Sequence, residues 1–136
     1  MPALSAARNT PERLGNVLGL LVAASTTIYQ GSLVVISAGY AAPGSTAAGL
    51  VAAGRAEETV TAVAAGDASV RVKTGSFKFA NSAAGDAIAQ ADVGADCYIV
   101  DDQTVAKTNG TNTRSRAGHV VAVDADGVWV QIGLGL

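Results

Sequence analysis

The chain has 136 residues and a formal net charge of −2 at pH 7, with 28 alanines, 16 glycines and only 15% charged side chains. That length suits one domain, and nine Lys plus Arg against eleven Asp plus Glu exclude the global basic field that would hold a nucleic-acid backbone. The single cysteine, Cys97, excludes an intrachain disulfide and any cysteine-cluster metal site.

Residues 1–13, MPALSAARNTPER, hold two of the three prolines and little apolar bulk. They read as a flexible, extended N-terminal arm ahead of a single β-rich domain over 14–136. Leu14 to Ala24, LGNVLGLLVAA, has the basic flank and short apolar run of a secretory signal peptide. Pro11, Glu12 and the two internal glycines oppose that reading, and the run is far short of the roughly 18 apolar residues of a membrane-spanning helix. Leu14, Val17, Leu18, Leu21 and Val22 have helical spacing, yet Gly15 and Gly19 would each cost a helix about 1 kcal/mol relative to Ala. The segment is read as extended.

Leu33 to Ile36 is a β-branched run between turn residues and is predicted to be a buried strand. Tyr40 to Gly49, with its Pro43-Gly44 pair, is predicted to be a loop, and Leu50 to Arg55 a weaker strand. Val70 and Val72 alternate with Arg71 and Lys73, and Phe77 and Phe79 with Ser76 and Lys78. This pattern predicts a hairpin, or one strand bulged at Gly75. Asp86 to Gly94 has an aspartate at its start and a terminating glycine, and reads as one short helix. Strands follow at Cys97 to Val100 and Thr104 to Lys107, then a polar loop from Thr108 to Gly118. His119 to Val123 and Val128 to Ile132 form a closing hairpin, with Gly127 expected at positive φ. The expected fold is all-β, a small barrel or sandwich with one short helix.

No phosphate loop, dinucleotide fingerprint or paired-histidine metal motif occurs, and His119 is the single histidine. Cys97 and His119 are the one pair suited to nucleophile and base, but no third group accompanies them, and Cys97 reads better as a buried hydrophobe. Asp124-x-Asp126-Gly127 resembles part of a calcium loop but lacks its further ligands; turn chemistry accounts for it. Asn109-Gly110-Thr111 matches a glycosylation triplet, with meaning only in a secreted eukaryotic protein. No catalytic residue, cofactor or metal is expected. Trp129 alternates with Val128, Val130 and Ile132, so it points away from the core, as an interface anchor or under a second apolar layer. Arg114 and Arg116 on the 108–118 loop could reach acidic partners; a solvated loop is the plainer reading of the same residues. With mean hydropathy at +0.34, surplus apolar surface suggests burial against other chains.

The tracts ARNTPERLG (Ala7 to Gly15), GRAEE (Gly54 to Glu58), FKFANSAAGDAIAQADVG (Phe77 to Gly94) and CYIVDDQTVAKTNGTNTRSRAGHVVAVDADGVWVQI (Cys97 to Ile132) resemble the capsid decoration, or cement, proteins of tailed bacteriophages. The resemblance implies a β-rich virion protein on the outer capsid surface, assembled in the bacterial cytoplasm, commonly a homotrimer, that reinforces contacts between major capsid protein subunits. The charge balance, the short apolar run and the absence of a catalytic motif point to no nucleic-acid partner, no membrane and no enzymatic activity. Arg8, Asn9, Thr10, Pro11, Glu12, Arg13 and Trp129 are the expected capsid or oligomer contacts. Gly133 to Leu136 extends beyond the resemblance. A secreted or fibre-forming surface module is the alternative, with a small hydrolase third.

Overall fold

Short apolar or alternating runs, broken every few positions by glycine or a turn pair, give twelve short strands among the described residues. The computed structural model describes residues 3–12 and 15–134. In chain order the strands are β1 (Val17–Leu21), β2 (Thr26–Ile28), β3 (Leu33–Ser37), β4 (Tyr40–Pro43), β5 (Val51–Ala56) and β6 (Val60–Ala62). Then come β7 (Ser69–Lys73), β8 (Gly75–Asn81), β9 (Asp96–Ile99), β10 (Thr104–Ala106), β11 (Arg116–Asp124) and β12 (Gly127–Ile132). The protein is all-β and contains a closed five-stranded barrel, β10-β8-β12-β11-β9. The other half is a five-stranded sheet, β1-β7-β5-β3-β4, with the pair β2-β6. Beyond β1, Val22 bridges Ala41 of β4, so this sheet curls back on itself.

Two hydrophobic cores result, and β3 feeds both. Val34 is buried with Val22, Ile28, Val70 and Val72 inside the curled sheet, among the small residues Ala41, Ala53, Ala56 and Ala62. Leu33 and Val35, on the opposite face of the same strand, are buried with Phe79, Ile99, Val128, Val130 and Ile132 in the barrel. Period-two alternation places neighbours on opposite faces, and here both faces are covered. The abundant alanine lets the curled sheet close around little volume, which is how a chain with sparse bulk fills two cores.

Several expectations take a different form. β1 confirms extended structure at Val17–Leu21. Part of the expected loop is strand β4, because Tyr40 to Pro43 pairs with β3 across the Ala38-Gly39 turn. The sequence from Ser69 to Asn81 is not a hairpin. β7 pairs with β1 and β5, β8 pairs with β12 and β10, and the chain crosses between the two sheets at Thr74-Gly75. The expected helix after Asp86 is replaced by two 3₁₀ turns, Ala84–Asp86 and Gln90–Asp92. Between them Asn81 receives the Ile88 amide on Oδ1 and donates from Nδ2 to the Ile88 carbonyl, both at 2.9 Å. That paired bond fastens the segment to β8 in place of helical hydrogen bonds.

Gly127 is not among the described positive-φ residues. Glycine is required there for another reason: a Cβ would stand 2.9 Å from the Phe79 carbonyl oxygen and from Lys78 carbons of the neighbouring strand. The hairpin around it forms as expected, with Val123 opposite Val128 and Asp124 opposite Gly127.

Candidate interaction surface

A groove of about 410 Å³ lies where the curled sheet meets the barrel, lined by Gly31, Arg55, Lys73, Ser76, Phe77, Lys78, Phe79 and Trp129. β5 and β7 bring Arg55 and Lys73 opposite each other in register. β8 and β12 do the same for Lys78 and Trp129. Arg55 stacks over the Phe77 ring at 4.3 Å, and Lys78 lies 5.9 Å from the Trp129 ring centroid, both within reach of the attraction between a cation and an aromatic face. Every charged side chain lining the groove is therefore a cation. The carboxylates that partner Arg55 and Lys78, namely Glu57, Asp124 and Asp126, are outside the lining.

Trp129 faces outward as expected and is 37% exposed, so no second apolar layer encloses it among the described residues. Its Nε1 donates to Asp124 Oδ2 at 2.8 Å. Asp124 and Asp126 thus hold an indole and a lysine, and the turn is an anchor for the exposed end of the groove. Among the described residues no three His, Cys, Asp or Glu side chains converge.

In the N-terminal segment, residues 3–12 are exposed throughout and form no strand or helix. Arg8 donates to Thr10 Oγ1 at 3.1 Å; Asn9, Pro11 and Glu12 are exposed beside them. Arg13 lies outside the described residues, as do Leu14 and the last two residues of the C-terminal tail. The segment and Trp129 belong to separate parts of the chain, and nothing in the fold brings them together.

The two loop arginines are engaged within the chain. Arg114 pairs with Asp86 at 3.3 Å and donates to the Thr108 carbonyl, folding the 108–115 loop onto the first 3₁₀ turn. Arg116, on β11, meets Asp96 at 2.9 Å. Asp96 also lies 3.1 Å from His119 Nδ1, while Arg116 reaches His119 Nε2 at 2.8 Å. Arg116, Asp96 and His119 thus form one surface network.

Cys97 is fully buried, with its thiol toward the Gly118 carbonyl at 3.7 Å. Burial pushes its pKa up to about 12, so it is a packed hydrophobe and not a thiolate. A thiol-exchange reagent at pH 8 should label it only when the protein is unfolded. Rapid stoichiometric labelling of the native protein would contradict that burial.

Three carboxylates lie below their ordinary range: Asp86 through a hydrogen bond from Thr108, Asp126 through one from Lys78, and Glu58 through those from Arg71. Lys78 is raised, chiefly by its hydrogen bond to Asp126. A depressed carboxyl contributes stability above its unfolded pKa and loses it as pH falls through the folded value; a raised lysine contributes below its unfolded pKa and loses it as pH rises through the folded one. The melting temperature should therefore hold steady between about pH 5 and 10 and decline gently on both sides. A maximum below pH 4 would show that these pairs do not form.

No family model, curated protein or solved structure matches the chain.

Proposed function

We propose that this chain is a structural virion protein of a tailed bacteriophage. In this reading it is a decoration protein that binds the outside of the capsid as a homo-oligomer, a trimer, and stabilises contacts between major capsid protein subunits. The observation that carries the reading is the apolar outer surface. Val17 and Leu21 on β1, at the end of its sheet, are 44% and 53% exposed, and Val51, Val63 and Val121 are exposed on other elements. An edge strand with apolar side chains is a liability in an isolated protein, and pairing or covering by another chain removes it. The exposed segment at residues 3–12 precedes this strand and offers polar groups to a neighbour. The resemblance of Phe77 to Gly94 and Cys97 to Ile132 to decoration proteins supports the same assignment, and these tracts build the barrel.

Mass spectrometry and cryo-electron microscopy of purified particles from the source lysate test the proposal. The expected result is a copy number related to the capsomers and density on the outer shell. Absence from the particle removes the reading. Recovery of the protein in fibres or at a cell surface would favour the secreted or fibre-forming module.

A further inference from the structure

The groove at the junction of the two halves follows the edge of a strand. It is lined by four consecutive residues, Ser76 to Phe79, although successive side chains of a strand point to opposite faces. A groove on one face would meet alternate residues; one running along the backbone edge meets them all. β8 pairs with β12 from Gly75 to Phe79, but on its other side β10 accompanies it only at Ala80 and Asn81. The Ala80 amide donates toward β10, to the Gln103 carbonyl at 2.7 Å. By alternation the Ser76 and Lys78 amides and carbonyls point to that same edge, and no described strand pairs with them there.

The opposite wall leaves room and carries charge. A Cβ at Gly31 would meet nothing within 4 Å. Arg55 and Lys73 project from that wall, and Lys73 forms no ion pair among the described residues. Lys78 and Trp129 form the outer rim. Main-chain donors and acceptors beside a line of cations and aromatic rings are complementary to an extended peptide bearing carboxylates on alternate residues. We infer that this groove binds an acidic, extended segment of a partner protein, which adds as a strand along the free edge of β8 while its carboxylates meet Lys73, Arg55 and Lys78. This site is independent of the capsid assignment, since it rests on the edge and its charges alone.

Trp129 is the chain's one tryptophan, so its fluorescence reports the groove. The probe is a blocked heptapeptide of alternating threonine and glutamate, titrated against the full-length protein at low salt. Saturable quenching or a spectral shift is expected, with no response to the lysine-for-glutamate analogue. Lys73→Glu, and the milder Lys73→Gln, should each weaken binding, the former by about tenfold or more, with unchanged far-UV circular dichroism. A peptide with the same charges but methylated at alternate backbone nitrogens should also weaken by about tenfold or more. No binding at millimolar peptide overturns the proposal, as does binding indifferent to either Lys73 variant. Equal binding of the methylated peptide, or of a sulfated oligosaccharide at the same concentration, would overturn strand addition and make the groove a general anion site.

Discussion

Gly118→Ala should lower the melting temperature by about 10 °C or more, corresponding to roughly 3 kcal/mol. The reason is contact with backbone. A Cβ at Gly118 would stand 2.1 Å from the Gln131 carbonyl oxygen, and that oxygen belongs to β12, paired with β11 along the barrel wall. Gly118 sits where the β11–β9 register shifts, with Arg116 opposite Tyr98 and Gly118 opposite Cys97. Such bulges sharpen the bend of a strand and let a five-stranded sheet close. Relief of the overlap would have to separate β11 from β12 and open the barrel. Gly54→Ala is the counterpart in the other half. Its φ of +156° disfavours a side chain, and a Cβ there would lie 2.3 Å from the Lys73 carbonyl oxygen at the β5 bulge. Gly19→Ala, where an added Cβ meets nothing within 4 Å, is the control and should shift the midpoint by no more than about 2 °C. Thermal denaturation of the three variants decides the matter, and a Gly118→Ala protein as stable as the control would refute the close approach.

Ile99→Ala should cost about 2–5 kcal/mol and should destabilise the whole chain rather than the barrel alone. Ile99 is fully buried in β9. Its Cγ2 stands 3.0 Å from where a Gly44 Cβ would be, so it packs against the loop leaving β4 as well as against barrel residues. The two cores share β3, with Leu33 and Val35 on one side and Val34 on the other. Strand β3 therefore cannot leave one core while remaining in the other. Trp129 fluorescence should follow the barrel, and amide exchange of β1, β5 and β7 the curled sheet. Both should report one transition, displaced together in Ile99→Ala and in Ile28→Ala, which deletes volume from the other core. Separate midpoints in either variant would divide the chain into two folding units.

Local periodicity made much of this molecule legible without coordinates. Leu33 to Ile36 announces a strand as a β-branched run between turn residues, and Val70 to Lys73 does so by alternation of apolar and polar side chains. The His119 to Ile132 hairpin was equally readable, since a turn sequence sits between its two strands. The outward direction of Trp129 followed from the same period, and the burial of Cys97 from the hydrophobic character of a lone cysteine. Strand partners were not readable, because pairing depends on residues far apart. Val70 to Lys73 and Ser76 to Phe79 look like one hairpin or one bulged strand, yet each finds its partners elsewhere, β1 and β5 for strand β7 and β12 and β10 for strand β8. Gly118 and Gly54 carry no local mark that separates them from turn glycines; only the approach of Gln131 and Lys73 singles them out. The groove is of the same kind. Arg55, Lys73, Lys78 and Trp129 are scattered along the sequence, and the chain's crossover at Thr74-Gly75 is what places two sheets, and their cations, on either side of an open strand edge.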